Sequence, residues 1–311
     1  MNLTHLKYIC EVEKYGSISK AAEHLYLNQP RLSKIIKDME RDMNLKIFER
    51  TSKGVRPTKK GFLFLNQAKM IINEVDYLEQ MYQAQQHTLT LDVSVPRASY
   101  ISTAFVNYLN ETKMINHEVK INYRETNSTE TMKKVFEGED NLGIIRFPIE
   151  DESYYLNMLA FRDLTYKKLF EFDYHLLMSK DNPLVYQDIC LNDLKNQIEL
   201  IHGDVSLPET PLAFTNQMNE RLSSSRVINI YERGSQFEIL DKLKNSYMWV
   251  SPMPQETLER FHLVQKECLD MNTRCMDILI YRKGYRLSDE DKEFIDSLKD
   301  VINHIGISKK E

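Results

Sequence analysis

"SISKAAEHLYLNQPRLSKIIKDMERDMNLKIFER", Ser17 to Arg50, decides the fold of the N-terminal part of this chain. Ser17 is placed to cap a short helix with Ile18, Ala21, Ala22 and Leu25 on one face, and the paired alanines admit a close crossing by a neighbouring helix. Asn28 suits an N-cap, with Pro30 in the first turn, where its missing N–H is harmless. In the helix that follows, Leu32, Ile35, Ile36 and Met39 form an i, i+3, i+4, i+7 stripe that must face a core. The opposite face then carries Gln29, Ser33, Lys34 and Lys37, with Arg31 at its edge. Upstream, Leu6, Ile9, Cys10 and Glu13 sit at helical spacing, and Gly16 suits the left-handed residue that ends a helix.

A helix entering the major groove of double-stranded DNA by its N-terminal end needs this mixture. Gln pairs with adenine edges, Ser is adaptable, Lys and Arg reach guanine or phosphate, and the helix N-terminus adds partial positive charge. A merely solvated charged face is the competing reading. After Leu45–Phe48 comes "RTSKGVRPT", Arg50 to Thr58, a Gly-centred basic turn that reads as a β-wing straddling a phosphate backbone, with Arg50, Lys53 and Arg56 as its cations. An ordinary solvated loop is its alternative. Charge supports the nucleic-acid reading: residues 1 to 60 hold 13 Lys and Arg against 7 Asp and Glu, a balance of +6 within a chain of net charge −5, which leaves −11 for the rest. A basic head on an acidic body predicts that the head meets a polyanion.

At 311 residues the chain is expected to form two or three units, and 42% hydrophobic with 28% charged residues fits a folded protein. No apolar run approaches the roughly 18 residues of a spanning helix, and Lys7, Glu11 and Glu13 stand where a signal peptide would be apolar, so a cytoplasmic location with no membrane partner is expected. Cys10, Cys190, Cys268 and Cys275 show neither CxxC nor metal spacing and read as reduced thiols, with Cys268 and Cys275 as a conceivable redox pair. GxSxG, HExxH, GxxxxGK[ST] and GxGxxG are absent and the eight His are scattered singly. No enzymatic role, metal or cofactor is expected.

Thr58 is placed to cap a long helix running to about residue 87, roughly 42 Å at 1.5 Å per residue. Its Leu65, Ala68, Ile72, Val75 and Tyr82, with Leu78 taking over where Glu79 interrupts, read as a dimerisation seam, with packing on its own domain as the alternative. From Leu89 the texture changes to strands alternating with helices: "TLTLDVSV", "YISTAFVNYLNET", "EVKINYRE", "TETMKKVFEGE" and "NLGIIRF", then "DYHLLMS", "IELIHG", "VINIY", "QFEILDKLKN", "YMWVSPM" and "MDILIYRKG", and a closing helix. Such alternation predicts parallel sheets, with ligands beyond the carboxyl ends of the strands.

Together these segments resemble the LysR-type transcriptional regulators. The likeness is strongest in the head, in the Ala21-Ala22 pair, the Gln29-Pro30 helix start, Ser33, Phe48-x-Arg50, and Pro57-Thr58 with Gly61. In the body "NLGIIRF", "YMWVSPMP" and "YRKGYRLSDEDKEFIDSL" resemble recurrent segments of the family's effector domain, while Ser94-Val95-Pro96 and Asn141 depart from its usual Gly and Asp. The resemblance implies a multi-domain chain: an all-α, winged helix-turn-helix DNA-binding domain (1–58), a linker and dimerisation helix (59–87), and an α/β effector domain of two Rossmann-like lobes. The first lobe is expected at 88–163 and 266–311, the second at 164–265.

It further implies that DNA is met by Gln29, Pro30, Arg31, Ser33, Lys34, Lys37, Arg50, Lys53 and Arg56. Ser99, Tyr100, Thr126, Asn127, Ser128, His202 and Gly203 are expected to border an inter-lobe cleft, with Arg97 and Arg146 at strand ends offering forks to a carboxylate-bearing effector. For either arginine a structural salt bridge is the alternative. The implied partners are duplex DNA, a small-molecule effector, a second copy in a dimer or tetramer, and RNA polymerase. An architectural DNA binder without a ligand and a thiol-based redox regulator are the competing functions.

Overall fold

The computed structural model describes residues 2–51, 54–82, 88–112, 118–203, 226–231, 233–271 and 274–307. In the N-terminal unit, α1 (Leu3–Tyr15) starts where Asn2 Oδ1 accepts from the Thr4 amide and stops where Gly16 takes φ 57°. Ser17 Oγ accepts from the Lys20 amide (3.4 Å) to start α2 (Ile18–His24), and Asn28 Oδ1 accepts from the Arg31 amide (2.9 Å) to start α3 (Gln29–Asp42). These are the caps expected from Ser17 and Asn28. A two-stranded antiparallel hairpin, β1 (Phe48–Thr51) and β2 (Gly54–Pro57), makes the wing. Glu40 fixes where it leaves α3, its Oε1 accepting from the amides of Ile47 (2.8 Å) and Phe48 (3.0 Å).

Thr58 caps α4 (Lys59–Tyr82), its Oγ1 accepting from the Gly61 amide (2.9 Å) while donating to the Lys46 carbonyl (2.6 Å). At 24 residues this helix is about 36 Å long. Its expected seam divides. Leu65 and Ala68 are buried in the head's own core with Leu6, Ile9, Leu32 and Ile36, and Ile72 packs against that core. Among the described side chains, the large apolar residues that α4 exposes are Leu63 and Ile71, outside the expected seam, and Leu78, within it. Tyr82's side chain lies outside the described residues. The helix must present two faces, one to its own domain and one outward, so a single stripe could not supply both.

The unit that begins at Leu89 holds two five-stranded sheets. The first runs β4-β3-β5-β12-β6, from β3 (Thr88–Val95), β4 (Glu118–Glu125), β5 (Leu142–Pro148), β6 (Leu164–Asp173) and β12 (Arg274–Arg282). Helices α5 (Ser99–Glu111), α6 (Ser128–Glu137), α7 (Glu152–Phe161) and the closing α10 (Asp289–Ile307) accompany it. The second runs β11-β7-β10-β8-β9, from β7 (His175–Ser179), β8 (Ile198–His202), β9 (Val227–Ile230), β10 (Ser246–Val250) and β11 (Leu263–Lys266), with α8 (Gln236–Lys242) and α9 (Gln255–Arg260).

Two expectations need correcting. The sheets are mixed, not parallel: β12 is antiparallel to both β5 and β6, and β7 to both β10 and β11, while β3–β5, β8–β9 and β8–β10 are parallel. The chain crosses between sheets twice, so β12 enters the first sheet from the opposite end. The boundary expected between 163 and 164 also moves, because β6 pairs along its length with β12, from Leu164↔Arg282 to Asp173↔Arg274, and therefore belongs to the first lobe. The crossing falls at Tyr174, and the return lies beyond Lys266, still paired with Leu176 in the second sheet.

The two departures from the family pattern lead to consecutive residues, Asp140 and Asn141, at one corner of the first sheet. Ser94 is fully buried and donates to the carboxylate of Asp140, which also receives Arg124, and the next residue, Asn141, accepts from buried Arg282 (3.0 Å). A carboxylate one position upstream of the usual place, with a hydroxyl opposite it, closes that corner of the sheet.

Candidate nucleic-acid interface and ligand cleft

Helix α3 buries Leu32, Ile36 and Met39, with Ile35 half-buried, and so must turn its other face to solvent. Gln29, Pro30, Arg31, Lys34 and Lys37 are exposed and Ser33 half-exposed. Gln29, Pro30, Ser33, Lys34 and Lys37 line one shallow depression together with Asp38 and Arg41, which pair at 3.1 Å. Among the described residues Arg31, Lys34, Lys37 and Arg50 enter no ion pair, so their charge is available to a polyanion. Arg56 differs: its Nε donates to Glu49 Oε1 (2.6 Å) across the wing, a pair that competes with a phosphate for it. Lys53 lies outside the described residues.

The wing is tied to the end of α1. The Val55 amide donates to the Gly16 carbonyl (2.9 Å), and a Cβ on Gly54, whose φ is 133°, would stand 2.3 Å from that oxygen. Only glycine fits there, so wing and helix pair are held as one body.

In the second unit, the residues expected at the cleft separate into those with duties inside a lobe and those that reach across. Tyr100 is fully buried and its hydroxyl donates to Asp277 Oδ2 (2.5 Å). Arg146 grips the same carboxylate with both arms, Nε to Oδ1 (2.8 Å) and Nη2 to Oδ2 (2.7 Å), and its guanidinium lies 4.7 Å from the centre of the Phe172 ring. Burial works to lower the Arg146 pKa, but the carboxylate of Asp277 outweighs it and holds the group protonated well above its ordinary range. Arg146 is therefore held in a buried ion pair within the first lobe, the alternative to a ligand fork that the sequence leaves open. The reason is Asp277 on the neighbouring strand β12, a fully buried anion that needs this partner.

Ser128 Oγ exchanges hydrogen bonds with the Arg146 backbone (3.0 and 2.8 Å), Asn127 Oδ1 caps α6 through the Glu130 amide (2.9 Å), and the Thr126 amide donates to the Val95 carbonyl (2.9 Å). These groups shape the first lobe, and Asn127 Oδ1 and Ser128 Oγ are occupied by it. Arg97 is half-buried. In the second lobe His202 ends β8, and Gly203 donates to the Ile230 carbonyl (2.9 Å) with no room for a Cβ against the Tyr231 ring, 2.7 Å away.

Of the expected set, Ser99 is the residue that the described contacts carry across the cleft. Its Oγ accepts from Arg233 Nη2 (3.2 Å), and Arg233 Nη1 also donates to Glu125 Oε1. Arg233 and Glu125 lie outside the set expected from sequence. Each stands just beyond or at the carboxyl end of a strand, β9 and β4, which is the position that singles out Arg97 and Arg146.

The thiols weigh against redox chemistry. Cys268 lies in a core cluster of the second lobe and Cys275 on β12 of the first. Burial pushes both thiols, and that of Cys10, up to about 12, opposite to the environment of a reactive thiolate.

A model of the family "Bacterial regulatory helix-turn-helix protein, lysR family" matches residues 3–62. The uncharacterized HTH-type transcriptional regulator YcgK of Bacillus subtilis is 30% identical over 156 residues, 49% of this chain and 47% of YcgK, so the match spans about half of that protein's length. The HTH-type transcriptional regulator AlsR of the same organism is 22% identical over 296 residues, 91% of each chain. Full-length LysG from Corynebacterium glutamicum, with bound effector Arg, matches at 14% identity over 98% of this chain and 99% of that one, TM-score 0.64. Full-length CbnR in complex with its target DNA matches at 15% identity over 97% and 100%, TM-score 0.53. At these identities the structural likeness shows the fold.

Proposed function

The chain belongs to the LysR family of bacterial helix-turn-helix regulators, and from that premise we propose that it binds dyad promoter sites through paired heads, under the control of a small molecule held between the two lobes of its body. The observation that carries the DNA side is the exposed face of α3, where Gln29, Arg31, Lys34 and Lys37 stand opposite the buried Leu32–Ile36–Met39 stripe. Two such heads joined along α4, through Leu63, Ile71 and Leu78, present their recognition helices to dyad-related half-sites. A dimer of dimers and contact with RNA polymerase belong to the same reading. For ligand control to work, the effector must favour one arrangement of the lobes over another.

In vitro selection of duplex DNA by the full-length protein tests this. An imperfect dyad with regularly spaced half-sites is expected; recovery of no motif, with only salt-sensitive binding, would leave an architectural role. Gln29→Ala is expected to relax base preference at one half-site position at a cost of about 1–3 kcal/mol, measured by competition with single-base variants of the selected site. A uniform loss for all sequences would place α3 outside the groove. Arg50→Ala should weaken every sequence alike and flatten the slope of log affinity against log salt by about one unit. An unchanged slope removes Arg50 from the phosphate backbone.

A further inference from the structure

The contact between Arg233 and Glu125 is the one described ion pair that joins the two lobes. Arg233 follows β9 in the second lobe, and Glu125 is the last residue of β4 in the first. Both side chains are only 19% exposed. A second feature lies beside them. Tyr123, two residues before Glu125 and so on the same face of β4, has a buried hydroxyl without a hydrogen-bond partner among the described residues. Burial, and then the charge of Glu125, push this phenol above its ordinary range, so it remains a neutral hydroxyl able to donate or accept. Its ring stacks on Phe105 at 4.4 Å, which holds it in place. Ser99 Oγ completes the group from the first turn of α5.

This arrangement restricts what can enter between the lobes. A ligand that seats there separates Arg233 from Glu125 in a place sheltered from water, and a sheltered charge left without a partner is strongly unfavourable. A plain carboxylate would satisfy Arg233 and leave Glu125 exposed to a second anion. A plain amine would do the reverse. A ligand that carries an ammonium and a carboxylate on one carbon replaces both halves of the pair at once.

Resting on the reading of the second unit as an effector-binding body, we infer that the inter-lobe cleft takes a zwitterion of the α-amino acid class, its carboxylate on Arg233 and Ser99 and its ammonium on Glu125, with the Tyr123 hydroxyl beside it. The ion pair seen here is then the contact that the ligand displaces, and lobe closure without ligand and with ligand differ in which partner each charge holds.

The test uses the full-length protein and a panel of matched probes: the standard L-amino acids, the corresponding acids without the amine (propionate for alanine, glutarate for glutamate), and the corresponding amines without the carboxylate (cadaverine for lysine). Calorimetric titration is expected to find at least one amino acid bound about tenfold or more tightly than both of its partial analogues, as loss of a buried charge partner demands. Glu125→Gln should abolish the preference over the acid lacking the amine, because the repelling charge is gone, and Arg233→Gln should remove binding of both. Equal binding of an amino acid and its acid analogue by the unaltered protein overturns the assignment, as does a preference that survives Glu125→Gln, or the absence of binding by every amino acid. The outcome is separable from the DNA result: a chain that binds an amino acid yet selects no motif keeps this site and loses the regulator reading, and one that selects a dyad yet ignores zwitterions does the opposite.

Discussion

Replacing Arg146 with alanine is expected to cost about 3–5 kcal/mol of folding stability, because it strands the fully buried carboxylate of Asp277 with the Tyr100 hydroxyl as its one remaining partner among the described contacts. The cost arises from the abandoned anion and not from the lost contact. The double replacement Arg146→Met with Asp277→Leu, which removes both charges, should therefore recover most of the stability, and a denaturant-unfolding cycle of the four proteins measures the coupling directly. A ligand-binding role for Arg146 makes a different prediction, with normal stability and a selective loss of effector affinity. Stability unchanged by Arg146→Ala would reopen that role.

The second large effect depends on pH. Glu199, on β8, is 5% exposed, and its carboxyl receives the Tyr247 hydroxyl at 3.3 Å. Burial pushes it from the ordinary value of 4.5 up to about 7, more than the tyrosine's hydrogen bond lowers it. A carboxyl raised in the folded state holds its proton there after the unfolded chain has released it. Its contribution to stability is thus fully present below about pH 4.5 and is lost as pH rises through about 7. Between about pH 5 and pH 8 this group alone should remove about 2–3 kcal/mol, and Glu199→Gln, which keeps the shape and cannot ionise, should erase that share of the slope. Parallel slopes for the two proteins in urea unfolding would show that Glu199 ionises in the fold as freely as in water.

The head is legible in the sequence because its determinants are local. Asn28 sits next to the helix it caps, Gly16 next to the helix it ends, and the Leu32–Ile36–Met39 stripe reports its own burial. Strand identity in the body is legible for the same reason, as in "NLGIIRF", whose middle residues are fully buried. Strand direction is not, since β12 meets β5 and β6 across more than a hundred residues of chain. β6 itself is hidden because Lys167-Lys168 interrupts the alternation of "LTYKKLFEFD", and its partner strand shifts register between Asp277 and Ile278. The division of labour among arginines lies beyond local reading altogether. Arg97, Arg146 and Arg233 share the same signature, a cation near the carboxyl end of a strand, yet the fates of Arg146 and Arg233 are decided by Asp277 and Glu125, residues 131 and 108 positions away. In α4, periodicity suggests one stripe where the helix has one face buried in its own domain and another exposed, and of the outward residues Leu63, Ile71 and Leu78 only Leu78 belongs to the expected stripe.

The place of β12 between β5 and β6 governs how this protein must be made. A ribosome delivers the head first, and the second lobe, whose described strands all lie between His175 and Lys266, next. The first lobe begins to emerge at Thr88 but lacks its inner strand until Arg274 and beyond have been synthesised, and lacks the helix whose Ser297 hydroxyl donates to the Ala104 carbonyl (2.8 Å). At about 5–20 residues per second, the apolar flank of β5 waits several seconds or longer for its cover, a window in which nascent chains are vulnerable to misassembly and depend on chaperones. A premature stop near the end of the coding sequence would therefore not yield a trimmed but folded protein. It would yield an intact head on a body whose first sheet lacks its inner strand, with an open, sticky edge, so late truncations should be recovered in aggregates rather than as folded protein.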